Sequence, residues 1–318
     1  MSGSVKLRYG VFICFLFCLC SCTSDIQAAI AGDVVGADDE SASVATATVA
    51  ASSTPTMVAT SVTSTPTVTI PEETPETTPS CLLKNGVTQR IQFYSEALDD
   101  FLTTTIYLPP CYDSGKSGGY PVIYLLHGQG MDDTFWPSIG ITDLATQMIQ
   151  AGSLPFMMVF PYESNDLVPV EESSFGDAIM DDLIPWLDAN YDTCRDRRCR
   201  EIGGVSRGGG WAMHLALTNL DDFSAVGAHS FAYYSTDLDL SRTLEADPST
   251  VFPQIYIDRG DGDYLAGSID LFEQNLTLLG IAHVYKVNPG AHSIEYWQSQ
   301  VGNYLAWYVQ VFNSNGLQ

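Results

Sequence analysis

Basic side chains are scarce in this sequence. Thirteen Lys and Arg stand against 38 Asp and Glu over 318 residues, a formal net charge of −25. So acidic a surface repels phosphate backbones and anionic lipid headgroups, which argues against nucleic acid or a charged membrane face as partners. Long apolar runs are missing too. The run VFICFLFCL at 11–19 has nine residues, where a spanning helix needs about 20. No C-x-x-C pair and no suitably spaced histidine accompany the cysteines, which argues against a zinc site. No lysine follows the glycine-rich stretch at 201–211, which excludes a P-loop. No glutamate stands at the twelfth position of a loop opened by Asp258 or Asp261, which excludes an EF-hand but not an irregular calcium site. The reading that results has no metal and no organic cofactor.

What is present begins with a signal. Lys6 and Arg8 precede the short apolar run, the pattern of a secretory peptide over residues 1–21. Leu19, Cys20, Ser21 and Cys22 resemble a bacterial lipobox, although Cys20 stands where a small or β-branched residue is usual. The resemblance implies acylation of Cys22 and a lipid tether; the alternative is an ordinary cleaved signal and a secreted chain. Residues 22–80 are rich in Thr, Ser, Pro and Ala, end in PEETPETTP, and carry too little apolar surface to offset chain entropy. They are expected to be a disordered tether. Four cysteines remain beyond it, an even number in an exported chain. Only four residues separate Cys194 from Cys199, so these two are expected to pair locally, leaving Cys81 for Cys111.

Residues 81–318 read as one domain. With 45% hydrophobic and 11% aromatic residues overall, the chain has ample material for a core. Strand-like runs at 103–108, 120–126, 156–160, 254–258 and 282–287 alternate with helical periodicity at 141–151, 175–190, 209–218 and 268–279. Apolar strands between amphipathic helices predict an α/β fold: a mainly parallel sheet covered on both faces.

The stretch EIGGVSRGGGW at 201–211 contains G-x-S-x-G. A serine on a sharp strand-to-helix turn needs small residues two positions to either side, and Gly204 and Gly208 supply them around Ser206. Ser206 needs a base, and the base needs an orienting carboxylate. His292, in the loop after the last strand, suits the base. His214, His229 and His283 read as structural. Asp263 reads best as the acid in the acidic turn after 254–258, with Asp261 the runner-up. His127, after a strand and before Gly128, suits an oxyanion loop or pocket edge. Trp136, Phe231, Tyr233, Tyr234 and Trp211 could wall a pocket or serve as core aromatics.

Several segments together resemble the esterase D group of the α/β-hydrolase superfamily: LPPCY at 108–112, YPVIYLLHG at 120–128, GVSRGG at 204–209 and GAHS at 290–293 with Trp297. That group includes feruloyl and acetylxylan esterases and mycolyltransferases. The resemblance implies that Ser206 attacks an ester carbonyl, that His292 takes its proton, and that the backbone N–H groups of Gln129 and Arg207 bind the oxyanion. Arg207 departs from the methionine or leucine more usual there, which implies a change in local pocket charge. The expected function is an exported serine carboxylesterase acting on small or polysaccharide-linked acyl esters, acetyl or feruloyl. The alternatives are acyl transfer of the mycolyltransferase type and a non-catalytic binding module.

Overall fold

The computed structural model describes residues 85–232 and 249–317, with Thr243 and Asp247. The signal at 1–21, Cys22, the tether at 22–80, Cys81, Tyr233 and Tyr234 lie outside the described residues. The apolar runs become strands buried along their whole length. These are β3 (Val122–Leu126), β4 (Met157–Pro161), β5 (Arg200–Val205) and β6 (Ala225–His229). With β1 (Val87–Ser95), β2 (Asp100–Leu108), β7 (Gln254–Gly262) and β8 (His283–Ala291) they form an eight-stranded sheet, in the order β1-β2-β4-β3-β5-β6-β7-β8. The first two strands run antiparallel; from β4 to β8 every neighbour is parallel. The fold is that of an α/β-hydrolase.

Strand alternation sorts the core into two halves. Val122, Tyr124 and Leu126 face one half with Val226, Ile255 and Ile257; Ile123 and Leu125 face the other with Met158 and Phe160. Apolar side chains reach the first half from the segment 175–183 and from α4 (Ile184–Asn190), α5 (Arg207–Thr218) and α6 (Ala266–Leu278). The second is covered by α1 (Phe135–Ser138), α2 (Ile141–Gln150) and α7 (Ile294–Ser314). Each fully buried large side chain contributes roughly 1.5–3 kcal/mol through removal from water.

The structure goes beyond the sequence reading in β6, α1 and α7, which were not among the expected runs, and departs from it at two further elements. Strand β1 was not foreseen, because its polar residues face out and it is only half buried. It is fastened by Arg90, whose guanidinium donates to the buried Asp133 carboxylate at 2.7 and 3.0 Å. The single helix expected at 175–190 is instead α3 (Phe175–Asp177), a π-helical stretch (Ala178–Leu183) and α4. Pro185 has no N–H to close a normal turn and its ring crowds the preceding carbonyls, so the wider turn falls just before it. Cys194 and Cys199 are bonded as expected. Cys111 is also in a disulfide. No described helix is long and apolar enough to cross a membrane.

Strand order reverses around β3, which lies between β4 and β5. Ligands of such sheets gather outside the carboxyl ends of the strands at the switch point. Here His127 and Gly128 follow β3, and Ser206 follows β5.

Candidate active site

Ser206 caps α5 at φ 53° and ψ −121°, a backbone region that disfavours residues with a Cβ. It is held there from both sides. Its N–H donates to the His229 carbonyl at 2.9 Å, and its carbonyl accepts from Ala232 N–H at 3.0 Å. The flanking glycines are steric necessities. A Cβ on Gly204 would stand 2.3 Å from the Gly208 carbonyl carbon, and one on Gly208 would stand 2.4 Å from the His127 carbonyl oxygen. Gly203, for which the sequence suggested no role, leaves room for the Tyr308 hydroxyl of α7; a Cβ would come within 1.7 Å of it.

Beyond β8, His292 presents Nε2 to the Ser206 Oγ at 2.9 Å. Its Nδ1 faces the two Asp263 carboxylate oxygens at 3.1 and 3.2 Å. A register shift between Gly260 and Gly262 at the end of β7 separates the neighbouring aspartates. Asp261 stays exposed and accepts from Gly290 N–H at 3.0 Å, while Asp263 is buried against His292. The runner-up acid therefore serves the loop that carries His292, not its imidazole. Burial pulls the Asp263 pKa upward, but hydrogen bonds from His292 and from Leu265 N–H outweigh it, and the carboxyl lies below its ordinary value. Asp258 turns away altogether: it accepts from His229, Tyr296 and Tyr304. The three carboxylates thus point to three separate sets of partners, unlike the ligands of a calcium loop.

The serine and histidine open onto a cleft of about 600 Å³. Met131, Leu167, Tyr264, Ile294 and Trp297 give it apolar walls, and Gln129 and Asp166 are polar neighbours. Leu167 and Tyr264 are 81% and 76% exposed, so the rim is open and greasy. Tyr264 and Trp297 also flank the His292 ring, with centroids 4.5 and 5.0 Å away. Except for Gln129 and Trp297, these residues carried no sequence signal. Leu167, for example, sits in a loop with no helical or strand periodicity.

The expected pocket walls need correction. Trp136 is 1% exposed, with its indole N–H donating to the Leu126 carbonyl at 3.0 Å. Phe231 is equally buried and packs edge-on against Phe272. Both are core: Trp136, on α1, packs into one half of the core, and Phe231, just past β6, into the other. Trp211 is core as well. His127 is 4% exposed and spans the loop from within: Nδ1 meets the Gly128 carbonyl at 2.8 Å, and Nε2 accepts from Glu163 N–H at 2.9 Å. Burial holds its pKa below the ordinary histidine value. The Arg207 side chain does not charge the cleft either, since it is buried against Glu163 at 2.8 and 2.5 Å. Gly128 does abut the serine: a Cβ there would lie 3.4 Å from the Ser206 Cβ. The backbones at 128–129 and 206–207 thus border the same end of the cleft.

A sheet of this order with a serine on its β5 elbow, facing histidine and aspartate from later strands, defines an α/β-hydrolase. The Esterase family model matches residues 95–308, about two thirds of the chain, and the chain belongs to that family. Among curated relatives, the endo-1,4-beta-xylanase/feruloyl esterase of Xylanibacter ruminicola is 34% identical over 163 residues, 48% of this chain and 22% of that protein. The acetyl esterase of Caldicellulosiruptor saccharolyticus is 24% identical over 265 residues, 70% of this chain and 98% of that one. The chain covers less than a third of the length of the first curated relatives it matches. A solved ferulic acid esterase superposes with a TM-score of 0.62 at 22% identity, covering 71% of this chain and 99% of that one. The feruloyl esterase module from Clostridium thermocellum, complexed with sinapinate, gives 0.61 at 18% identity, covering 70% and 87%. These likenesses show the fold, and the expected kinship with the esterase D and feruloyl esterase-like group is borne out.

Proposed function

We propose that the protein is a serine carboxylesterase that removes a neutral acyl group, acetyl or feruloyl, from a carbohydrate-linked ester. The observation that carries this reading is the contact of His292 Nε2 with Ser206 Oγ at 2.9 Å, with Asp263 on the opposite nitrogen. Ser206 Oγ attacks the ester carbonyl while His292 accepts its proton. Asp263, buried and ionised, fixes the Nδ1–H tautomer and stabilises the imidazolium. The backbone N–H groups of Gln129 and Arg207 receive the oxyanion; such donors contribute about 3–4 kcal/mol each to lowering the barrier. His292 then protonates the leaving alcohol, and water repeats the sequence on the acyl-enzyme. The open apolar rim suits an aryl or short acyl group. No Lys or Arg lines the cleft among the described residues, which favours an uncharged acyl chain.

The remaining parts of the reading concern the N-terminal region: export by a signal at 1–21, lipidation of Cys22, and a tether at 22–80 that holds the catalytic domain at 81–318 away from a cell surface. The test of the chemistry is Ser206→Ala, assayed on p-nitrophenyl acetate and methyl ferulate. Hydrolysis of both should disappear, together with labelling by a fluorophosphonate probe, while the thermal transition stays in place. Near-wild-type hydrolysis by this variant would overturn the assignment.

A further inference from the structure

A continuous hydrogen-bonded chain runs behind the cleft and touches both segments that border its oxyanion end. Its hub is Glu163, two residues beyond β4 and 4% exposed. The carboxylate accepts from Arg207 Nε at 2.8 Å and Nη2 at 2.5 Å, a two-pronged pair, and from the Trp211 indole N–H at 3.1 Å. Arg207 is the residue directly after the nucleophile, and its Nη2 also reaches the Val168 carbonyl at 2.8 Å. On the other side, the Glu163 backbone N–H donates to His127 Nε2 at 2.9 Å. An Nε2 that accepts carries no proton, so Nδ1 carries it and donates to the Gly128 carbonyl at 2.8 Å. The same loop returns once more: Asp166 accepts from Gly130 N–H through its carboxylate and from the Gln129 amide through its carbonyl.

One residue thus grips position 207 through its side chain and positions 127–128 through its main chain. We propose that Glu163 is the positioning residue of the oxyanion hole, fixing the distance between the Gln129 and Arg207 N–H donors. This rests on the reading of those donors given above. The physical need is plain. Donors must sit about 2.7–3.1 Å from an oxygen that exists only in the transition state, and the two donors lie on separate loops. Neither loop alone sets their separation. A bidentate pair with a charged guanidinium is the most directional clamp the side-chain repertoire offers.

The test compares Glu163→Gln with the double variant Glu163→Gln/Arg207→Met, which leaves no charge buried alone. A trifluoromethyl ketone, which forms a tetrahedral adduct on the serine, probes the oxyanion hole. Ferulate, the product acid, probes the ground state. In Glu163→Gln, kcat should fall about 10–100-fold with KM within threefold, the ketone should bind weaker by the same factor, and ferulate binding should not change. The double variant should recover thermal stability but keep the low kcat and weak ketone binding. Should the single variant fail to fold, the double variant carries the test alone. Wild-type kcat and wild-type ketone affinity in either variant would overturn the proposal. A wild-type protein that neither hydrolyses esters nor binds the ketone would instead overturn the esterase reading itself.

Discussion

Two His–Asp pairs stand one strand apart in this protein, and they differ in what faces the second imidazole nitrogen. In the cleft, His292 Nδ1 meets Asp263 at 3.1 Å and Nε2 meets Ser206 at 2.9 Å. Under the sheet, His229 Nδ1 meets Asp258 at 2.7 Å, while Nε2 looks at the Tyr308 hydroxyl, 3.3 Å away. The buried pair is the better hydrogen-bonded of the two. Asp258 takes the Tyr296 and Tyr304 hydroxyls at 2.6 and 2.9 Å besides His229, and the Tyr304 ring stacks on the imidazole at 3.6 Å. It is also fully sealed, with both residues at 0% exposure. A short His–Asp bond therefore does not make a general base. In the mechanism proposed above, the base is the histidine whose second nitrogen has the serine hydroxyl in reach and a cleft in front of it.

The comparison breaks most visibly at the histidines. His292→Gln should lower kcat/KM about 10⁵–10⁶-fold with little change in Tm, whereas His229→Gln should lower Tm and keep kcat/KM of the folded fraction within about threefold. A large loss of rate from the buried histidine would sink the distinction. Next come the acids. Asp263→Asn should cost about 10⁴-fold in kcat by stabilising the wrong tautomer of His292. Asp258→Asn should instead cost about 3–5 kcal/mol of stability, read from urea unfolding, because three buried donors lose a charged acceptor. The Asp263 pKa is depressed in the fold, so its contribution to stability is complete above its unfolded value near 3.8 and is lost as pH falls through the folded one.

A smaller effect sharpens the contrast from the other direction. Glu201 in β5 is fully buried, and neither carboxylate oxygen has a hydrogen-bond partner among the described residues. Burial pushes its pKa well above the ordinary value. Its sign is the reverse of Asp263: stability is complete below pH 4.5 and is lost as pH rises through the folded pKa. Glu201→Met should therefore gain about 1–3 kcal/mol, with the gain increasing from pH 5 to pH 8. A pH-independent gain would mean that packing alone is responsible.

Much of this arrangement was legible in the chain, for identifiable reasons. Continuous apolar runs such as VIYLL at 122–126 announce a strand buried on both faces. The spacing of Gly204, Ser206 and Gly208 announces an elbow because the clash it avoids is local. Choosing Asp263 over Asp261 required only that the carboxylate nearer the end of the turn face His292, although the bulge that accomplishes it has no sequence signature of its own. What stayed hidden depends on distant contacts. Gly203 is explained by Tyr308, over a hundred residues later. The aromatic character of Trp136 and Phe231 says nothing about which side of the sheet edge they take. Glu163 reads as a loop carboxylate until Arg207 is brought against it.

The backbone of Ser206 has a further consequence, and it concerns inheritance. A non-glycine residue at φ 53° and ψ −121° holds roughly 1–3 kcal/mol of strain that replacement by glycine alone would release. Mutation to glycine at this codon therefore runs downhill in stability while removing the hydroxyl. A descendant with glycine here would fold at least as readily as its parent. Persistence of serine in such a lineage is thus a record of continuing use, and a census of what occupies this position would date the point at which use ended.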